Sequence, residues 1–208
     1  MAENGRETNP DKAPLIIAMK GHPGTGKSTL AHYLASSLKL PLIDKDDIRD
    51  STLPVQEALG PASAASRLLN DLCYDVMWRI ASTQLQHGIG VIVDSPLSRR
   101  AHLDRLISLA AEQRARIFIV ECRPSDEAAW QRRLKGRAAQ DEGRGTGWHK
   151  PSTWHDMERL LEGYGGRTEY DVGDVPKVVV DTTKPGVGVE DMGSAVIEFI
   201  ATHGGGGV

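Results

Sequence analysis

Gly21-His22-Pro23-Gly24-Thr25-Gly26-Lys27-Ser28 decides the reading of this chain. The eight residues fit G-x-x-x-x-G-K-[ST] and stand where that pattern has a mechanism. The apolar run Leu15-Ile16-Ile17-Ala18-Met19 leads in, and an amphipathic stretch leads out. Gly21, Gly24 and Gly26 let the backbone turn so that successive N–H groups, that of Thr25 among them, face a phosphate chain. Lys27 supplies a point charge for β- and γ-phosphates, Ser28 offers a hydroxyl to Mg²⁺, and Thr29 reaches toward an α-phosphate. The helix start adds partial positive charge. His22 and Pro23 read as loop shape only. The motif implies a nucleoside triphosphate held with Mg²⁺.

Working outward, short apolar runs alternate with amphipathic stretches. After Leu15–Met19 come Pro41-Leu42-Ile43, Ile89–Val93, Ile117–Val120 and Val178–Val180. Continuous apolar runs suit parallel strands covered on both faces. Between them, Leu30, Tyr33, Leu34 and Leu38 keep helical spacing. So do Leu69, Leu72, Val76 and Ile80 in a long helix over about 63–87, then Leu103, Leu106, Ile107 and Ala110, and last Val189, Met192, Val196, Phe199 and Ile200. The expectation is a doubly wound α/β domain, three layers deep, spanning 14–202. Residues 1–13 read as a lead-in and 203–208 as a tail. Residues 138–150, with Gly143, Gly145, Gly147, Trp148 and His149, read as a loop between two helical arms, 125–138 and 152–161.

Composition narrows the function. Hydrophobic residues make 39% and charged residues 25% of 208, which fits a packed globule. No run approaches the ~20 apolar residues that span a bilayer. No apolar leader opens the chain, so a cytoplasmic setting is expected. A net charge of −3 argues against a general nucleic-acid binder. Cys73 and Cys122 both fall inside expected regular elements, which disfavours a disulfide framework or a structural zinc site.

Three further segments bear on what happens to the phosphate. No Asn-Lys-x-Asp follows any strand, which disfavours a guanine switch. Strand two runs into Asp44-Lys45-Asp46-Asp47-Ile48-Arg49-Asp50. A carboxylate at the end of a strand beside the phosphate loop suits deprotonation of an alcohol; Asp46, Asp47 and Asp44 are candidates, and a helix-capping loop is the alternative. Val91-Ile92-Val93-Asp94-Ser95 puts an aspartate at a strand end, where Asp94 serves either Mg²⁺ or the acceptor hydroxyl, or caps the helix that follows. Gln131-Arg132-Arg133-Leu134-Lys135-Gly136-Arg137 places Arg133 and Arg137 on one helix face. Residues 123–150 carry seven basic and four acidic side chains, a net +3 in an acidic chain. A basic arm over a phosphoryl group neutralises its charge during transfer.

With these motifs the chain resembles P-loop kinases of the polynucleotide kinase, gluconate kinase, chloramphenicol phosphotransferase and zeta-toxin type. The resemblance rests on residues 21–29, 44–49, 91–95 and 132–137. It implies a five-stranded parallel sheet of order 2-3-1-4-5 with a helical lid at about 132–150. It assigns Asp46 the base role, Arg49 an acceptor contact and Arg133 and Arg137 the lid cations. The turn Asp181–Pro185 resembles the segment backing the adenine, with Thr183 as a base neighbour. In such kinases the long helix lines the acceptor pocket, which makes Tyr74, with Asn70 and Trp78, a candidate substrate contact; Trp148, His149, Trp154 and His155 flank the lid. The expected activity is transfer of the ATP γ-phosphoryl to a hydroxyl of a small molecule. A 5′-hydroxyl polynucleotide kinase and a non-catalytic ATP-gated binding protein are the rivals.

Overall fold

The computed structural model describes residues 13–60, 63–142, 149–165 and 168–203. The remainder of the expected lead-in and tail, and Gly143, Gly145, Gly147 and Trp148 of the loop, lie outside the described residues.

Five strands form one parallel sheet: β1 (Leu15–Lys20), β2 (Leu42–Asp44), β3 (Val91–Asp94), β4 (Arg116–Arg123) and β5 (Lys177–Asp181). Their order is β2-β3-β1-β4-β5, as expected. Side chains alternate across the pleat, so the apolar run of β1 feeds two cores. Ile16 and Ala18 meet α4 (Ser63–Gln86) and α5 (Arg100–Glu112) on one face. Ile17 and Met19 meet α1 (Lys27–Leu38) and α8 (Val189–His203) on the other. Burial on both faces is why β1 and β3 read as unbroken apolar runs, whereas on the edge strand β5 Val179 is 49% exposed, contrary to the expectation for that run. α2 (Lys45–Asp50) and α3 (Leu53–Leu59) follow β2 directly, and the two arms are α6 (Glu127–Glu142) and α7 (Trp154–Tyr164). Among the described residues no helix is long and apolar enough to cross a membrane.

One helix face departs from expectation. On α4, Leu72 is 50% and Ile80 40% exposed, whereas Leu69, Cys73, Tyr74, Met77, Trp78, Ala81 and Leu85 are buried. The sequence offers two apolar stripes about one residue apart. The stripe bearing the two aromatic rings, with the larger apolar surface to bury, faces β3 and α5.

Candidate active site

The loop between β1 and α1 is held by its own carbonyls, one bonded from within the loop and two from outside it. The Thr25 hydroxyl donates to the His22 carbonyl at 2.8 Å, the Trp130 indole N–H to that of Pro23 at 2.8 Å, and the Thr182 hydroxyl to that of Thr25 at 2.6 Å. Gly21 lies at φ +147°, and a Cβ there would stand 2.7 Å from the Cys122 carbonyl oxygen, so only glycine fits. Gly26, at φ +83°, is the N-cap of α1 and makes no side-chain cap, and the first turn holds no acidic residue. The helix N-terminus is thereby left to an anion. It opens on a cavity of about 580 Å³ whose walls include Gly24, Gly26, Lys27, Ser28 and Thr29 of the loop, together with Asp46, Arg133, Arg137, Lys150 and Thr182.

The carboxyl edge of the sheet delivers the acidic groups. β2 and β3 pair in register so that Asp44 and Asp94 are Cα partners, and Asp94 also pairs with Met19 of β1, one residue before Lys20. Asp94 is fully buried and forms an ion pair with the Lys27 ammonium. Burial works against the charge on Lys27, yet Asp94 beside it raises the lysine pKa above its ordinary value. Asp44 caps α2, accepting from the Asp46 N–H at 2.8 Å. Burial first and the neighbouring Asp94 second push its carboxyl up to about 7. The second oxygen of Asp94 has no hydrogen-bond partner among the described residues. With the Ser28 hydroxyl it offers the hard oxygen donors that suit Mg²⁺. Among the described residues no group of three or more His, Cys, Asp or Glu could hold a metal, and Mg²⁺ commonly keeps waters and takes substrate phosphates as ligands beside one or two protein oxygens.

Asp46, in the first turn of α2, stands on the cavity wall beside two lysines and a histidine. Lys150 Nζ lies 3.2 Å from Oδ2; His149 Nε2 and Lys45 Nζ lie 3.2 and 3.4 Å from Oδ1. Burial favours its neutral form, but the His149 hydrogen bond, Lys150 and Lys45 overcome this and hold the carboxyl far below the usual range. Arg133 donates to the Thr182 carbonyl at 2.6 Å, and Arg137 to that of Pro151 at 2.9 Å. Both line the cavity, one helical turn apart on α6.

Three residues expected at the site are placed elsewhere. Arg49 is 2% exposed and binds Thr52 Oγ1 at 2.7 Å and Ser66 Oγ at 2.9 Å, bracing α2 against the start of α4. Tyr74 is buried in the core, its ring 4.0 Å from that of His102 and stacked with Trp78. Thr183 accepts from the Ser125 and Asp126 N–H groups where β4 passes into α6. Its neighbour Thr182 is the one that reaches the loop. Trp154 packs edge-on against Trp130 at 5.1 Å, joining the two arms, and His155 is exposed.

The sequence reading missed Thr182, Trp130 and the contacts of His149 and Lys150 with Asp46. The only signal was weak: the excess of positive charge in 123–150, to which Lys150 belongs.

Residues 16–154 match a protein-family model described as an AAA domain. No curated protein sequence matches the chain. Among solved structures, one from Chloroflexus aurantiacus j-10-fl, described provisionally as a kinase, is 23% identical with a TM-score of 0.68, over 95% of this chain and 100% of that one. Chaetomium thermophilum Kti12 in complex with ADP-AlF3 is 18% identical with a TM-score of 0.60, over 89% and 98%. A gluconokinase from Sinorhizobium meliloti 1021 is 20% identical with a TM-score of 0.57, over 92% and 94%. At these identities the likeness establishes the P-loop fold.

Proposed function

Because the chain belongs to this AAA-domain family, with two thirds of its length matched, we propose that it is a kinase that transfers the γ-phosphoryl group of ATP to a hydroxyl of a small molecule. One observation carries the reading. The phosphate loop, the carboxylate of Asp46 and the two arm cations Arg133 and Arg137 share the walls of a single cavity. The naming of similar folds as gluconokinase and shikimate kinase supports the same class of acceptor.

The loop amides and Lys27 hold the triphosphate, with Arg133 and Arg137 over its charge. Mg²⁺, taken up with the nucleotide near Ser28 and Asp94, would neutralise phosphate charge. Asp46 receives the proton of the acceptor hydroxyl. The hydroxyl oxygen forms its bond to the γ-phosphorus, and the bond from that phosphorus to the bridging oxygen breaks, leaving the electron pair on ADP.

The test is ADP release from ATP and Mg²⁺ against a panel of sugars, nucleosides, polyols and hydroxylated vitamins, with a short oligonucleotide in a parallel arm. Stimulation by one small alcohol supports the reading. Stimulation by the oligonucleotide alone makes the protein a polynucleotide kinase, and nucleotide binding without turnover on any acceptor makes it a nucleotide-gated binder.

A further inference from the structure

Lys150 occupies a position that the roles above do not use. Its ammonium lies 3.2 Å from Asp46 Oδ2, and its side chain also forms part of the cavity wall that holds Lys27, Ser28, Arg133 and Arg137. Of the two lysines and the histidine around Asp46, Lys150 is the one that borders this cavity. Lys45 lies 5.7 Å from the Tyr74 ring centre, and His149 is turned between two carboxylates of α2, with Nε2 on Asp46 and Nδ1 3.3 Å from Asp50.

The backbone that carries Lys150 is fixed from both directions. His149, its side chain 10% exposed, fastens the segment to α2. The Arg137 bond to the Pro151 carbonyl fastens it to α6. Thr153 and Asp156 then start α7 with a reciprocal capping box. A long cation on an anchored backbone, between the wall formed by the phosphate-binding loop and a carboxylate, is preorganised for charge on either side.

We propose that Lys150 is a further catalytic cation, seated by His149 as a positioning residue, which pairs with Asp46 before nucleotide arrives and contacts the γ-phosphoryl group once it is bound. This rests on the kinase reading with Asp46 as the proton acceptor. The geometry follows from the reaction: the hydroxyl held by Asp46 must meet the γ-phosphorus, so a cation that touches Asp46 and faces the phosphates borders that path. The exchange also times the base. With His149, Lys150 and Lys45 on it, the Asp46 carboxylate is a weak proton acceptor; as the Lys150 ammonium turns to the phosphoryl oxygens, the carboxylate regains the part of its basicity that Lys150 had removed, when the electrophile is in place. The hydroxyl proton then passes to Asp46, and Lys150 keeps its own.

The test compares the wild-type chain with Lys150→Met, Lys150→Gln and Lys150→Arg by calorimetry. The probes are Mg²⁺-ADP and the Mg²⁺ complex of the non-hydrolysable imido analogue of ATP. The expected result is a loss of about 10-fold or more in affinity for the triphosphate analogue in the Met and Gln variants, ADP affinity within about 2-fold, and recovery in the Arg variant. ADP binding reports that each variant is folded. Equal losses for both nucleotides, or no loss for either, overturn the proposal and leave the kinase reading intact. If wild type binds neither nucleotide, the kinase reading itself fails and this inference falls with it.

Discussion

Lys20 and Glu121, register partners on β1 and β4, form a buried ion pair of 3.0 Å immediately before the phosphate loop. Glu121 also receives Arg123 at 2.8 Å and Lys177 at 3.3 Å. One carboxylate thus ties three strand ends together. Burial raises its pKa, but the hydrogen bonds from Arg123 and Lys20 outweigh that and bring it down to about 2. A depressed carboxyl contributes stability above its unfolded pKa of about 4.3, and that contribution is lost as pH falls toward the folded value. Glu121→Gln leaves Lys20 buried without its counter-charge. The expected cost is about 3 kcal/mol at pH 7, shrinking steadily between pH 4 and pH 2. Denaturant titrations of both proteins at several pH values measure it; a cost independent of pH would show that shape, not charge, is what Glu121 supplies.

Gly193 of α8 packs against the ring of Tyr33 on α1. A Cβ at 193 would stand 2.1 Å from that ring, with no room to accommodate it. Gly193→Ala is therefore expected to destabilise by about 1–3 kcal/mol, despite the better helix propensity of alanine. Tyr33→Leu should recover part of that loss in the double variant, since the clash needs both groups. Melting temperatures of the four proteins form the cycle, and strict additivity would count against the clash.

Asp46→Asn keeps the side-chain size and removes proton acceptance. Phosphotransfer should fall by about 10²–10⁴-fold. Nucleotide affinity should hold or improve, because the cations on Asp46 lose their partner and face the phosphates more freely. Steady-state turnover on whichever alcohol the acceptor screen yields, beside calorimetry with ADP, separates the two effects. Full activity in this variant would remove Asp46 from the reaction.

The sheet was legible because buried parallel strands leave continuous apolar runs, and the phosphate loop because its glycines and Lys27-Ser28 occupy fixed offsets from β1. The strand order came with the family resemblance. What stayed hidden lies in contacts distant along the chain. His149 and Asp46 are 103 residues apart, and no local pattern marks their meeting. Arg49 follows the two acidic residues with the same spacing whether it turns to an acceptor or inward; only the fold reveals Ser66, 17 residues on, as its partner. Thr182 and Thr183 are adjacent and chemically alike, and the turn that follows β5 decides which one meets Thr25. Tyr74 belongs to a helix with two apolar stripes, so periodicity did not choose the face that is buried.

Trp130 supports the last prediction. Its indole N–H donates to the Pro23 carbonyl inside the phosphate loop, its ring stacks on His22 at 6.2 Å, and Trp154 of the second arm meets it edge-on. One side chain therefore links α6, α7 and the loop. Trp130→Phe keeps an aromatic ring against Trp154 and removes the donor. A neutral hydrogen bond of this kind contributes about 0.5–1.5 kcal/mol, so ADP affinity should weaken by about 2–10-fold through a less constrained loop. Thermal stability should fall by no more than that bond contributes, because the aromatic packing remains. Trp130→Ala loses both, and should lower the melting temperature as well as the affinity. If the Phe variant bound ADP like wild type, the shape of the loop would not depend on this bond. Its glycines, the Thr25 bond to His22 and the Thr182 contact would then account for it.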